Sequence, residues 1–308
     1  MIQTHRTPAY GWPNCVRLAN AQVELIVTAD VGPRIIHFGF VGGQNHLGVN
    51  PALHGHTGGD EWQAYGGHRL WHAPEVHPRT YAPDNGPVTV EEQSGVARFI
   101  QPTEATTGIQ KAIDVRLAPD AAHAQITHCL RNHNAWAVEL SPWALTVVAQ
   151  GGTAIVPLPP RRPWANDNLL PVSQMALWSY TNLADPRWTF GHKYILLRQD
   201  PANAEFQKIG LYASDGWCGY ARNGELFVKT FPCFSAARYP EFTSPFEIFT
   251  NDEILELETI APPAKLAPGA VVEHVEHWHL FRDVPTPQND TDVDMHVRPH
   301  IQSVVRIP

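Results

Sequence analysis

Residues 21–43 read AQVELIVTADVGPRIIHFGFVGG. From Ala21 to Ala29 apolar and polar side chains alternate, the period of a half-buried strand. Gly32-Pro33 breaks the run, and RIIHFGF re-enters a strand before Gly42-Gly43 ends it. Two strands joined this closely predict an antiparallel pair. The same signature recurs. PVTVEEQSGVARFIQP (87–102) reads as a hairpin around Ser94-Gly95, and GIQKAIDVRLAPDAAHAQITHCLRNHN (108–134) as two strands joined at Pro119-Asp120. WAVELSPWALTVVAQGGTAIVPLPP (136–160) is a long apolar stretch, and Asn223-Gly224 is a hairpin turn between apolar runs. AVVEHVEHWHLFRD (270–283) is the last clear strand. The best helical candidate, LLPVSQMALWSYTNL (169–183), predicts a turn or two at most. The fold class is therefore all-β and mostly antiparallel, a single sandwich domain over residues 1–283. Residues 284–308 lose the pattern and predict an extended tail that packs on the domain or is partly disordered.

Composition narrows the function. The chain has 308 residues, a formal charge of -8 and a pI near 6.1, which argues against nucleic acid and anionic membrane as partners. Charged residues make up 17%, below the usual share of about 25%. The 28 prolines, 22 glycines and 10 tryptophans describe a loop-rich, aromatic-rich protein instead. No apolar run approaches the ~20 residues of a membrane span, and the N-terminus carries no secretory pattern. Cys15, Cys129, Cys218 and Cys233 form no C-x-x-C pair. We expect free thiols and a cytoplasmic location, or two disulfides if the protein is exported to the periplasm or secreted.

Residues 65–75, YGGHRLWHAPE, concentrate unusual chemistry. Gly66-Gly67 and Pro74 suggest an irregular loop carrying His68, Arg69, Trp71, His72 and Glu75. A tryptophan beside charged side chains suits a sugar: the ring stacks on the C–H face and the charges bond the hydroxyls. The blander alternative is a structural loop in which Arg69 pairs with Glu75 and Trp71 plugs the sandwich. ILELETIAP places Glu256 and Glu258 on one strand face, opposite Leu255 and Leu257. Carboxylates this close repel unless a cation intervenes or one holds a proton. His277 and His279 also share a strand face, a metal-ligand spacing that needs further ligands, or else a hydrogen-bonded surface pair. His54 and His56 sit in a Gly-rich loop. No G-x-S-x-G, phosphate loop or dinucleotide fingerprint is present, so we expect no ATP, NAD, other cofactor or metal.

Several stretches together, RLANAQVELIVTADVGPRIIHFGF, YGGHRLWHAPE, NHNAWAVELSPWALTVVAQGGTAIVPLP and FEIFTNDEILELETIAPPAKLAPGAVVEHVEHWHL, resemble a bacterial family related to aldose 1-epimerases (galactose mutarotases). The resemblance spans residues 12 to 282. It implies a galactose-mutarotase-like β-supersandwich whose concave sheet face binds a mono- or oligosaccharide. It makes Glu258, in Leu257-Glu258-Thr259, the base on the anomeric hydroxyl, and Arg69 a sugar clamp. The segment similar to the epimerase His-Pro-Tyr reads Leu140-Ser141-Pro142-Trp143, so that histidine acid is missing; the other epimerase histidine has no clear match, and His68 or His72 is placed to approach from the loop. Trp71, Glu75, Trp143, Lys193 and Glu256 complete the expected substrate-binding set. The implied activity is an enzyme acting on a sugar or sugar acid: a mutarotase, or a β-eliminating lyase using Arg69, Lys193 or Arg161 as its cation. The alternative is a non-catalytic carbohydrate-binding protein that retains the fold.

Overall fold

The computed structural model describes residues 2–93, 95–235 and 237–305. Within them the chain forms β1 (Gln3–Ala9), β2 (Trp12–Ala19), β3 (Val23–Thr28), β4 (Arg34–Phe40), β5 (His68–Ala73), β6 (Thr89–Gln93), β7 (Val96–Ile100), β8 (Ile109–Leu117), β9 (His123–Asn132), β10 (Val138–Val148) and β11 (Thr153–Pro157). It continues with β12 (Met175–Leu177), β13 (Trp188–Phe190), β14 (Tyr194–Arg198), β15 (Gln207–Leu211), β16 (Trp217–Arg222), β17 (Glu225–Thr230), β18 (Phe246–Thr250), β19 (Leu255–Ile260), β20 (Ala264–Leu266) and β21 (Val271–Arg282). One sheet runs β1-β2-β3-β4-β5-β10-β19-β18-β15-β12, with β20 on the early part of β10. The other runs β13-β14-β11-β16-β17-β21-β9-β8-β7-β6. The two pack face to face as an antiparallel sandwich, as the alternation predicts.

The predicted hairpins form. Val23 faces Phe40 across β3–β4. Asn223 and Gly224 both take positive φ in the two-residue turn between β16 and β17, the conformation such hairpins require. Of the turn read at Ser94-Gly95, Ser94 lies outside the described residues, while β6 and β7 pair on either side. Inner faces interdigitate: Leu255 and Leu257 of the first sheet share a core with Phe227 and Trp278 of the second. All four cysteines are free thiols. Among the described residues no helix is long and apolar enough to cross a membrane.

Three local readings differ. YGGHRLWHAPE is not a loop: after Gly66-Gly67 it becomes β5, a fully buried central strand. Both faces of β5 are covered, so polar and apolar residues do not alternate along it, and the strand signal vanishes. The two glycines are structural requirements. Their φ values are +79° and +68°, and a Cβ on either would lie within 2.4 Å of the carbonyl oxygen of Gly48 or Ile35. The segment 169–183 forms the edge strand β12 rather than a helical turn. The tail is helical from Asp290 to Val304, not extended. Its Val293, Val297 and Ile301 recur every fourth residue and bury against Ile155, Tyr194 and Trp217 on the outer face of the second sheet.

Candidate functional site

Strand parity decides which side chains meet. On β5, Arg69 and Trp71 point to the outer face of the first sheet, while His68, Leu70 and His72 point between the sheets. On β10 Trp143 and Leu145 face outward, and on β19 Glu256 and Glu258 do. Register aligns them: Leu145 lies opposite Arg69 on one side and Glu258 on the other. These residues floor a cleft of about 1160 Å³ that is walled by Trp62, Tyr81, Tyr180 and Phe206.

Two ion groups occupy the floor. Arg69 Nη1 donates to Glu256 Oε1 at 2.7 Å, not to Glu75, and its guanidinium lies 4.5 Å from the Trp71 ring centroid. Trp71 is therefore covered on one face and backs the clamp, while half-buried Trp62 and Tyr81 pack around it. The second group centres on Lys208 of β15. Its Nζ lies 2.7 Å from Glu247 Oε2 and 3.1 Å from Glu258 Oε2. Trp143 Nε1 also donates to Glu258 Oε2, at 3.0 Å. Glu258 Oε1 has no partner within the protein. Burial pushes both carboxyls up, and one ammonium cannot offset it for two acids: Glu247 rises to about 8, and Glu258 rises with it. The group thus retains a proton near neutral pH.

Of the residues expected from sequence, Glu258, Glu256, Arg69, Trp71, Trp143 and Glu75 line one cleft. Glu75 sits at its rim and accepts from the Tyr81 hydroxyl. His68 and His72 do not reach it, because even positions on β5 face the core. His72 instead contacts Glu104, which also pairs with Lys111. Lys193 is also elsewhere, bound to Asp294 of the helical tail, and Arg161 donates to His192 on the surface. The cations that the lyase reading relies on are thus remote or, for Arg69, already paired. Ser141 is buried and does not line the cleft. The one histidine among the described cleft-lining residues is His54. Sequence reading missed Lys208 and Glu247. Each is a lone charge inside an apolar strand (QKIGL, FEIFT), and that isolation is the signal.

His68 belongs to a buried group between the sheets. His128 Nδ1 lies 2.9 Å from the His274 carbonyl oxygen, so it carries the proton. His128 Nε2 then accepts from His68 Nε2 at 2.6 Å, and His68 Nδ1 accepts from the Thr146 hydroxyl at 2.8 Å. Thr146 accepts from Lys229, whose Nζ lies 2.7 Å from Glu276. Glu276 also accepts from Thr259 and Trp278. His68, His128 and Glu276 offer atoms within 4.8 Å of one another, as metal ligands would. The Lys229 ammonium already fills the cationic role there. His277 and His279 lie on the outer face of the second sheet, where His123 stacks on His279 and bonds His277 at 3.0 Å.

The fold is that of galactose mutarotase-like proteins. A structure of a candidate aldose 1-epimerase from Klebsiella pneumoniae superposes with a TM-score of 0.61 at 10% identity, over 98% of this chain and 87% of that one. A galactose mutarotase-like protein from Lactobacillus casei gives 0.55 at 9% identity, over 87% of this chain and 100% of the other. A candidate mutarotase from Salmonella typhimurium gives 0.56 at 9%, over 91% and 97%. No family model and no curated protein matches the sequence.

Proposed function

We propose that this protein binds a saccharide in the cleft and acts on it as an isomerase by proton transfer, with Glu258 as the base. One observation carries the reading. Glu258 is buried at the cleft floor, its Oε2 is held by Trp143 and Lys208, and its Oε1 is left without a partner. That oxygen is an acceptor left over for a hydroxyl of a ligand in the cleft.

In mutarotation Oε1 takes the proton of the anomeric hydroxyl. The C1–O1 bond becomes a carbonyl as the C1–O5 bond breaks, and O5 takes up a proton. Glu247 holds that proton and Lys208 relays it, giving one up only as it takes up the other, because the two carboxyls keep the ammonium charged. Reclosure on the other face of C1 runs the same steps backward. Arg69, steadied by Glu256, orients the ring. The mutarotase-like fold of the structural neighbours, one of them a candidate mutarotase, supports this reading.

The test is the rate of anomer exchange, followed by polarimetry or NMR on freshly dissolved aldoses. The protein accelerates exchange, and Glu258→Gln lowers kcat by about 10²–10⁴-fold, the usual worth of a general base. Undiminished exchange in that variant overturns the proposal. A non-catalytic carbohydrate-binding role is favoured by one observation, the core-facing direction of His68 and His72. Saturable binding with no exchange of any sugar would establish that role instead.

A further inference from the structure

The cleft is larger than one pyranose needs. Its volume of about 1160 Å³ exceeds the ~300–1,000 Å³ of most small-molecule sites. Its floor crosses β5, β10, β19, β18 and β15, four strand spacings of about 4.8 Å, or roughly 19 Å. Along β10 the lining runs from Trp143 to Val148, five steps of about 3.3 Å, or roughly 17 Å. Both dimensions are several times the width of a sugar ring.

Its charge is equally informative. The lining holds three cations, Arg69, Lys208 and Arg222, against four carboxylates. Arg69 is paired with Glu256 and Lys208 with Glu258. Arg222 donates only to neutral groups, the Gln150 carbonyl and the Gln44 side chain, and sits toward the rim away from the Glu258–Arg69 end. Glu75 and Glu253 against Arg222 then leave the lining with one net negative charge. A uronate or a sugar phosphate would enter against this field and find both cations of the Glu258–Arg69 end, Arg69 and Lys208, already paired with carboxylates.

Four lining side chains bury a polar atom that has no partner: Glu258 Oε1, Arg69 Nε, Trp62 Nε1 and His54 Nε2. Such atoms are costly unless a ligand or water bonds them. Three belong to the Glu258–Arg69–Trp62 end. His54 lies apart, held against Tyr10 and Trp12 on the flank of β2.

We infer that the cleft takes a neutral saccharide of at least two units, one at the Glu258–Arg69 end and the next toward His54 and Tyr10. The inference rests on the saccharide reading above. The experiment is calorimetric titration with glucose and galactose, with maltose, cellobiose, lactose and maltotriose, and with glucuronate and glucose 6-phosphate. At least one neutral di- or trisaccharide binds tenfold or more tightly than its monosaccharide, and His54→Ala erases that ratio. The two anions bind more weakly than glucose. Equal affinity for mono- and oligosaccharides, or a ratio indifferent to His54→Ala, overturns the inference and leaves the saccharide reading intact. Tightest binding of either anion overturns the neutral assignment in the same way. No binding by any sugar overturns both.

Discussion

Two buried charge groups lie on opposite sides of the first sheet, one on its outer face and one between the two sheets. On the outer face, one ammonium (Lys208) serves two carboxyls, Glu247 and Glu258. Between the sheets, one ammonium (Lys229 of β17) serves one carboxylate (Glu276 of β21), both carried by the second sheet. The inner group is nearly closed: two threonines, a tryptophan and neutral imidazoles occupy the remaining positions, and His274 Nδ1 is its orphan atom. The outer group leaves Glu258 Oε1 and Glu247 Oε1 open. Titration follows the same division. Burial alone raises a carboxyl, yet Lys229 and the imidazoles hold Glu276 well below the usual range, while Glu247 and Glu258 are displaced upward. Balanced charge is what structure needs, and unbalanced charge with a free acceptor is what proton transfer needs.

The comparison breaks if the two groups respond alike. Glu258→Gln carries the largest expected effect, on turnover, with unfolding by denaturant little changed because Lys208 keeps Glu247. Lys229→Met strands Glu276 in the core and costs about 3–5 kcal/mol in chemical denaturation, and the pH profile of the remaining turnover keeps its shape. Lys208→Met sharpens the contrast. Lys208 pulls the Glu258 pKa down, so its loss lowers turnover by removing the donor to O5 and moves the rising limb of the remaining kcat against pH to higher pH.

The smallest effect is on stability against pH, and its sign differs between the groups. Burial lowers His274 to about 3. The unfolded chain therefore takes up that proton first, and this contribution, complete above the ordinary histidine value near 6.5, is lost as pH falls toward 3. Glu276, depressed, adds a loss at still lower pH. Glu247 runs the other way. Its contribution is complete below the ordinary value near 4.5 and is lost as pH rises toward 8. Glu247→Gln should flatten the neutral-to-alkaline loss of stability, read as a smaller difference between denaturation at pH 5 and at pH 8. An unchanged slope would remove Glu247 from the proton-holding role.

The fold was legible where one strand face is wet or a turn is chemically marked. Alternation at residues 23–28, the Asn223-Gly224 turn and the parity of Glu256 and Glu258 all carry through to the structure. The site was legible where an odd residue sat in a recognisable segment, as with Arg69 and Glu258. It was illegible where both faces of a strand are buried. β5 then resembles a loop, and its two histidines look like neighbours of Arg69 although the pleat sends them to the opposite side. Lys208 and Glu247 lie far apart in sequence, and only the β15–β18 pairing brings their strands together. The tail's repeat of Val293, Val297 and Ile301 is audible but short, and Pro285, Pro287 and Pro299 mask it.

The pleat of three strands has one more consequence, for how this chain is free to vary. His68 and Arg69, Leu145 and Thr146, Glu258 and Thr259 are sequence neighbours assigned to opposite faces. Deleting or inserting a single residue within β5, β10 or β19 would exchange the two sets wholesale, sending Glu258 inward and a core hydroxyl outward. Length changes in descendants or engineered libraries must therefore fall in the connections, while these strands drift only by point replacement. An insertion scan scored for soluble expression should show three silent windows, 68–73, 143–148 and 255–260, set in a tolerant background of loops.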